Sequence, residues 1–384
     1  MGKVFGIINR APVVALRATV CAMATLLTTL CTAQTTAQEL KTQLPAVYAL
    51  AFSLDGKHLA VGTHGEALLY DTSNWSVSDV CTKVQGAARS FAFHPDGKHL
   101  AIGSGAAGVS GNMLMWDISG ETHPISYEAA GDTIENIAFS KDGSNMLTAS
   151  FDNKARFYAV TFYPYTPQRL EEHNGRVTAV SFSSKPKYIF ATGSMDKNVK
   201  VWDYKSAKVV VNFDQATAGI TGVAFLSNGD QLVGSSLDGN LYWWGVSYSE
   251  RRRFYSGYPI RTIKDHEDGV TAFSYSANFE RIATGGVDHR IVVRRMNDGA
   301  VVREFKDAAT PIYATALSPD GKIVAAAGRE GLVWIWDIAA NKLLCTLTPP
   351  PPSAAKPGPT KAKTLTNQSV PAWTSPVGRW ASIK

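Results

Sequence analysis

Three residues near the middle of the chain have the side-chain types of a catalytic triad: His173, Ser194 and Asp196. In an acyl-transfer enzyme, a histidine oriented by a carboxylate takes the proton of a serine hydroxyl. The sequence contains no Gly-x-Ser-x-Gly segment, however, and this is the sharp turn that exposes the nucleophile in many hydrolases. We therefore predict that these residues are structural, that no residue is catalytic, and that the chain is not an enzyme.

Metal-binding patterns are also missing from the sequence. It has neither His-Glu-x-x-His nor Cys-x-x-Cys, and its eight histidines do not recur at the spacing of ligands. Two of the four cysteines lie near the N-terminus, and we interpret Cys81 and Cys345 as unpaired, half-buried thiols. The sequence predicts no metal and no cofactor.

The net charge of +6 comes from the two ends of the chain. Residues 1–38 hold three cationic side chains and residues 349–384 hold five, and neither segment contains an acid. Residues 39–348 therefore carry a net charge of −2. A body so close to neutrality exerts no overall attraction on a phosphate backbone, so we expect no nucleic acid partner.

The composition of both ends is that of segments outside a folded domain. In residues 1–38 the cations precede an apolar run, Ala18–Leu30, and small residues follow it. This pattern predicts a leader for export to an extracytoplasmic compartment, secreted or periplasmic, and the run is too short to span a bilayer. An organelle transit peptide and an uncleaved cytoplasmic N-terminus are the alternatives. Residues 349–384 contain eight prolines and predict a disordered basic tail.

One pattern occurs seven times between the two ends. Each copy has an alternating strand that ends at Asp-Gly or a similar turn, a second strand, a turn with an acid, a third strand ending in Trp-Asp or a relative, and a polar fourth strand. The copies lie near 46–85, 86–131, 132–172, 173–216, 217–265, 266–307 and 308–348. A large residue near the end of the first strand recurs every 41–50 residues, which is typical of propeller blades: Phe52, Phe93, Phe139, Phe182, Phe225, Tyr275 and Leu317.

These copies resemble the WD40-repeat family, most clearly at Trp116-Asp117, Trp202-Asp203 and Trp336-Asp337. The resemblance implies an all-β fold, a seven-bladed β-propeller of four-stranded antiparallel blades around a channel. Two segments compete for the last outer strand, Glu39–Leu44 and Lys342–Leu347, and we favour the second.

The resemblance further implies a buried hydrogen-bonded chain in each blade, built from a histidine, a serine or threonine, an aspartate and a tryptophan. Only the fourth copy has all four types: His173, Thr192 or Ser194, Asp196 and Trp202. The sixth copy has Arg294 in place of the tryptophan. It is therefore expected to be the loosest blade, unless Arg294 and Arg295 meet an acidic group. In the second copy the insertion Gly105–Gly111 predicts a long loop.

Partner binding is implied at one mouth of the channel, where two positions of each blade face outward. The first lies early in the inner strand: Tyr48, Arg89, Glu135, Thr178, Thr221, Thr271 and Tyr313. The second precedes the turn acid: Phe151, Met195, Leu237, Val287 and Arg329. Apolar residues grouped with arginine and tyrosine favour a hot spot for a peptide or loop, and we predict all of them except the threonines as partner-binding residues. The alternative is that they fold inward and cap the blades.

The predicted function is a scaffold that binds a protein or peptide partner at this mouth. The alternative is an extracytoplasmic propeller enzyme, or a small-ligand-binding protein, with its site in the channel. Arg251–Arg253 lie in a long connection on the opposite face. They are either a solvated loop or a second site for a phosphate, an acidic loop or anionic lipid.

Overall fold

The computed structural model describes most of the repeat region: residues 44–121, 124–160, 167–184, 189–276, 278 and 280–351. The predicted leader and the predicted tail beyond residue 351 lie outside these ranges. Within them, no helix has the length and apolar character needed to cross a bilayer. Both cysteines in these ranges are free thiols; Cys81 is buried and Cys345 is half-buried.

The described residues form 28 strands in seven separate four-stranded sheets, which we number as blades 1 to 7. Blades 1 to 3 comprise β1 Ala49–Phe52, β2 His58–Gly62, β3 Ala67–Asp71, β4 Ser76–Cys81; β5 Ser90–Phe93, β6 His99–Ala106, β7 Ser110–Asp117, β8 Ile125–Ala130; and β9 Ile134–Phe139, β10 Asn145–Ser150, β11 Ala155–Ala159, β12 Gln168–Leu170. Blades 4 and 5 comprise β13 Val177–Phe182, β14 Ile189–Ser194, β15 Val199–Asp203, β16 Lys208–Phe213; and β17 Ile220–Phe225, β18 Gln231–Ser236, β19 Asn240–Ser249, β20 Phe254–Lys264. Blades 6 and 7 comprise β21 Val270–Ser276, β22 Arg281–Gly286, β23 Ile291–Arg295, β24 Val301–Phe305; and β25 Ile312–Leu317, β26 Ile323–Gly328, β27 Val333–Asp337, β28 Lys342–Leu347.

A recurring turn ends the inner strand of most blades and fixes its register. In blade 1 the Asp55 carboxylate accepts hydrogen bonds from the Ser53 hydroxyl (2.7 Å) and from the Lys57 amide (3.1 Å). Gly56 follows with a φ of 73°, a left-handed conformation that glycine adopts without a Cβ penalty. Because an Asp-Gly pair pre-forms this turn, each first strand folds back antiparallel on the second.

Each sheet consists of four consecutive strands, and the seventh is completed by β28. Its residues Lys342–Leu347 pair with β27, as the favoured prediction stated, whereas Leu44 is in coil and residues 39–43 lie outside the described ranges. No sheet in the described part of the chain combines strands from both ends of the repeat region. Side-chain packing between blades 7 and 1 therefore closes the ring.

The core is divided into seven apolar clusters, one at each junction between neighbouring blades. The cluster that closes the ring combines Leu59 and Leu68 of blade 1 with Ala325, Val333 and Ile335 of blade 7, all fully buried. A closed ring of seven blades has seven junctions, and an apolar cluster lies at each of them. The predicted seven-bladed propeller is confirmed.

The insertion in the second copy was predicted as a loop, and this prediction was wrong. Its residues extend β6 and β7 into a longer hairpin, with pairs reaching Ala106 and Ser110. Only the turn between these strands is irregular, and Val109 at its tip is 73% exposed. Glycines allow this extension because Gly105, with a φ of 148°, passes close to the backbone of the next blade.

The closing junction can be tested by removing apolar volume from it. Ile335→Ala should lower the free energy of unfolding by about 2–5 kcal/mol, because the cavity lies between two blades that no shared strand joins. Leu344→Ala, at a side chain that is 45% exposed on the neighbouring outer strand, serves as the control and should cost under ~1 kcal/mol. Urea denaturation of the two variants measures this difference. Equal losses would contradict the proposed role of the junction.

Candidate functional site

The triad-like residues of blade 4 form a buried structural network. The Asp196 carboxylate lies 2.8 Å from His173 Nδ1, and His173 Nε2 lies 2.7 Å from the Thr192 hydroxyl. Trp202 Nε1 donates to the same hydroxyl at 2.8 Å. Thr192, not Ser194, is thus the middle link of the chain.

Ser194 has a different role in the same blade. Its hydroxyl donates to the Gly175 carbonyl at 3.0 Å and accepts from the Asp196 amide at 3.1 Å. Both nitrogens of the His173 ring are already occupied by Asp196 and Thr192, so the ring does not act on Ser194. These bonds tie the loop before β13 to the turn after β14.

Hydrogen bonding keeps the carboxylate of this network ionised. Burial alone would raise the pKa of Asp196, but the hydrogen bond from His173 and those from the Asn198 and Asn174 amides outweigh burial and lower it well below its usual range. The ionised carboxylate therefore ties the loop before the inner strand to the turn between the second and third strands.

Blade 6 keeps this network but replaces its tryptophan with an ion pair. His266 lies 2.8 Å from Asp288 and 3.1 Å from the Thr284 hydroxyl. That hydroxyl donates to Asp265 (2.5 Å), whose second oxygen accepts from Arg294 Nε at 2.6 Å. The Asp265 side chain has no solvent exposure. Of the two expectations for this blade, the structure shows the one in which Arg294 meets an acidic group.

Residues from all seven blades line a cavity of about 280 Å³ in the channel. Six of the nine predicted partner-binding residues are among them: Tyr48, Arg89, Glu135, Met195, Leu237 and Tyr313. The Phe151 ring lies 5.6 Å from the Arg89 guanidinium, and the Arg329 guanidinium lies 4.8 Å from the Tyr313 ring. Val287 is half-buried and is not a lining residue.

The mouth has two halves that differ at one repeat position. In blades 4, 5 and 6 this position holds Thr178, Thr221 and Thr271. Each threonine hydroxyl donates to a backbone carbonyl at the start of the next inner strand, at 2.6, 2.9 and 2.5 Å. These three side chains therefore cap the blades, which is the alternative role that the sequence left open. The sequence shows this division as a change from threonine to larger residues, but the repeat pattern alone does not assign the two residue types different roles.

In the other half, Arg89 organises the larger side chains. Its guanidinium lies 3.1 Å from the Glu135 carboxylate and 5.6 Å from the centre of the Tyr48 ring. Arg176 covers the Phe151 ring at 4.6 Å. Cation–π contacts and an ion pair thus hold this half in a defined geometry before any partner arrives.

The channel changes the acidity of Glu135. Burial by the channel wall raises its pKa to about 7, although the neighbouring Arg89 opposes that rise. The side chain keeps 26% of its surface accessible within the channel. The charge at the centre of the mouth therefore changes near neutral pH.

The ion pair of blade 6 should behave as a buried unit. Arg294→Met and Asp265→Asn should each lower the free energy of unfolding by about 3–5 kcal/mol, because each leaves an uncompensated polar group in the core. The double variant should lose less than the sum of the two. A double-mutant cycle by urea denaturation measures the coupling, and strict additivity would refute it. Arg295→Gln, at the exposed pair with Asp298, is the control and should cost under ~1 kcal/mol.

The pKa of Glu135 predicts a pH-dependent stability. Because the folded-state pKa lies above the ordinary value of 4.5, this group's contribution is complete below pH ~4.5 and is lost as the pH rises through about 7. The native chain should lose more stability between pH 5 and 8 than Glu135→Gln. Melting temperatures across this range test the difference. Glu121→Gln, at an exposed carboxylate, should retain the native profile, and an unchanged profile in Glu135→Gln would contradict the prediction.

Comparison with known proteins agrees with this architecture. The family model described as "WD domain, G-beta repeat" matches residues 124–158, 165–203, 207–245, 257–294 and 299–337. Each match begins before or within an outer strand and continues into the third strand of the next blade, so the five matches run from β8 of blade 2 to β27 of blade 7.

Several curated relatives and one solved propeller are similar to the chain. Serine-threonine kinase receptor-associated protein of Rattus norvegicus is 23% identical over 213 residues, 54% of this chain and 56% of that protein. Protein tipD of Dictyostelium discoideum is 26% identical over 243 residues, 61% of this chain and 37% of that protein. Autophagy-related protein 16 of Arabidopsis thaliana is 23% identical over 237 residues, 61% and 45% of the two chains.

The chain spans little more than half, or less, of the length of these relatives. The β-propeller domain of Myceliophteria thermophila Cps50 (Swd1) superimposes with a TM-score of 0.66 at 15% identity, covering 76% of this chain and 97% of that domain. At this identity, the likeness shows the fold alone. The five repeat matches show that the chain belongs to the WD40-repeat family of β-propellers.

Proposed function

We propose that the chain is a non-catalytic scaffold that binds an extended segment of a protein partner at the channel mouth described above. The observation that carries this proposal is the convergence of six predicted residues, each from a different blade, on one cavity. Residues so far apart in sequence meet only because the ring is closed. The name of one relative, serine-threonine kinase receptor-associated protein, fits a role in association with another protein.

The two halves of the mouth suggest how a segment would be held. Met195 and Leu237 are 37% and 40% exposed, so apolar side chains of a partner would gain most by covering them. Across the channel, Arg89 and the two tyrosines offer donors and ring faces to a polar backbone or side chain. An extended peptide that crosses the mouth satisfies both halves at once.

The lining supports binding over acid–base chemistry in the channel. Among the described residues that line the cavity, Glu135 is the one carboxylate, and no histidine lines it. A carboxylate pair, as in glycoside hydrolysis, would need a second acid in the lining.

We also propose an extracytoplasmic location for the scaffold. It rests on the leader-like sequence of residues 1–38 alone, and N-terminal sequencing of the mature protein would test it.

A triple substitution in the mouth tests the binding proposal. Partners captured by the native chain should be lost, with affinity reduced on the order of 100-fold or more, in Phe151→Ala/Met195→Ala/Tyr313→Ala, because the large side chains of a hot spot carry most of the binding energy. Calorimetric titration of each captured partner measures the loss, and the melting temperature should change little.

The matched control removes three exposed apolar side chains away from the mouth: Leu54→Ala/Val301→Ala/Leu343→Ala. It should bind as the native chain does. Undiminished capture by the mouth variant would show that partners bind elsewhere.

A further inference from the structure

The third and fourth strands of blade 5 form a hairpin that is longer than its counterparts. β19 has 10 residues and β20 has 11, whereas the corresponding strands of blades 4, 6 and 7 have five or six. The ladder between β18 and β19 ends at Gly245. Val246–Ser249 pair with β20 alone, but the Val246 amide still donates to the Asp230 carbonyl at 2.7 Å. The three residues Ser247–Ser249 therefore project roughly 10 Å past that bond, on the side opposite the mouth.

One face of the projecting hairpin is packed against blade 4. The Tyr248 and Tyr255 rings pair across the strands with 4.7 Å between their centroids. Tyr255 also packs on the apolar cluster shared by blades 4 and 5. A Cβ at Gly257 would collide with Val211 and Phe213, so glycine permits this close approach. The hairpin is therefore held in a fixed direction.

The other face and the tip have a different composition. Phe254 and Tyr258, four residues apart on one strand and thus on one face, are 51% and 49% exposed. Glu250, Arg251, Arg252 and Arg253 form the turn, and all four are exposed. The tip thus combines three cations and one acid, a net charge of +2, with two exposed aromatic rings.

We propose that this hairpin docks the propeller on an anionic lipid bilayer. The three guanidinium groups would contact lipid phosphates. The apolar Phe254 ring would enter the boundary between headgroups and acyl chains, and the amphipathic Tyr258 ring would lie at the headgroup level. Guanidinium groups pair well with phosphate oxygens because they donate several hydrogen bonds in one plane.

A flat membrane fits this surface better than an acidic protein segment does. The hairpin extends past the β18–β19 ladder of its own sheet, and a planar surface is one that a projecting tip meets first. Its exposed rings lie on one flank of a convex element, which offers no groove for a chain. Docking here leaves the mouth on the opposite face open, so the inference does not depend on the proposed partner site.

The test uses the full chain and vesicles of phosphatidylcholine with or without about 30% phosphatidylglycerol. The native chain should co-sediment with the anionic vesicles, less so at high salt, and should not bind phosphatidylcholine alone. In Arg251→Gln/Arg252→Gln/Arg253→Asn the partition coefficient should fall on the order of 100-fold, because each cation near such a surface contributes about fivefold. Asparagine is chosen at Arg253 because its φ is 53°.

Two further variants distinguish the hairpin from a general charge effect. Phe254→Ser/Tyr258→Ser should lower the partition coefficient about tenfold without a change in charge. The control Lys57→Gln/Lys98→Gln/Lys322→Gln removes three cations from other turns on the same side. Each of these lysines lies within 3.6–3.8 Å of an acid, and the control should stay within about twofold of the native chain.

Several outcomes would overturn the proposal. If the native chain fails to bind anionic vesicles, or if the arginine variant binds them as well as the native chain, the hairpin is not a membrane element. Equal binding by all variants would assign the effect to the eight cations of residues 1–38 and 349–384, which every variant retains. Binding to polyglutamate but not to vesicles would assign the tip to an acidic protein surface.

Discussion

Each blade presents apolar side chains on both faces of its sheet, and only the two neighbouring blades can cover them. The seven junction clusters are the consequence, and the seventh joins residues from opposite ends of the repeat region. Because the blades share no strand, apolar burial must hold the circle closed. The cavity at the mouth exists only while that circle is closed, so the proposed binding site depends on the same packing.

The sequence was sufficient for the features that repeat. A period seen seven times predicts the number of blades, and the fourth strand that every copy supplies predicts Lys342–Leu347 as the last strand, because local pattern and global packing agree there. The sequence was insufficient where two residues of a repeat could each make the same hydrogen bond. Thr192 and Ser194 are two residues apart on one strand, so both point to the same face, and only the packing of His173 selects Thr192.

The remaining differences arise from contacts between distant parts of the sequence. Asp265 carries no repeat signature, yet its carboxylate accepts from Arg294, 29 residues away, where most blades place an aromatic ring. The insertion at Gly105–Gly111 reads as a loop because glycine has low strand propensity, but pairing with the opposite strand overrides that preference. Neither outcome follows from local propensity. The candidate site shows the same limit, since its positions were predictable from the repeat and its division into two halves was not.

That division connects the proposed partner binding to the contacts that join neighbouring blades. In blades 4 to 6 a threonine hydroxyl at the mouth bonds the next inner strand and so joins neighbouring blades. A larger residue at the same position gives up that bond and adds side-chain surface to the proposed partner site. Between blades 2 and 3 the Arg89–Glu135 pair supplies a replacement bridge, but one whose carboxyl group has a pKa of about 7. A partner group that engages Arg89 must compete with this bridge, and protonation of Glu135 weakens the competitor. Under the proposed function, binding at the mouth and the strength of this blade junction are therefore coupled through one ion pair.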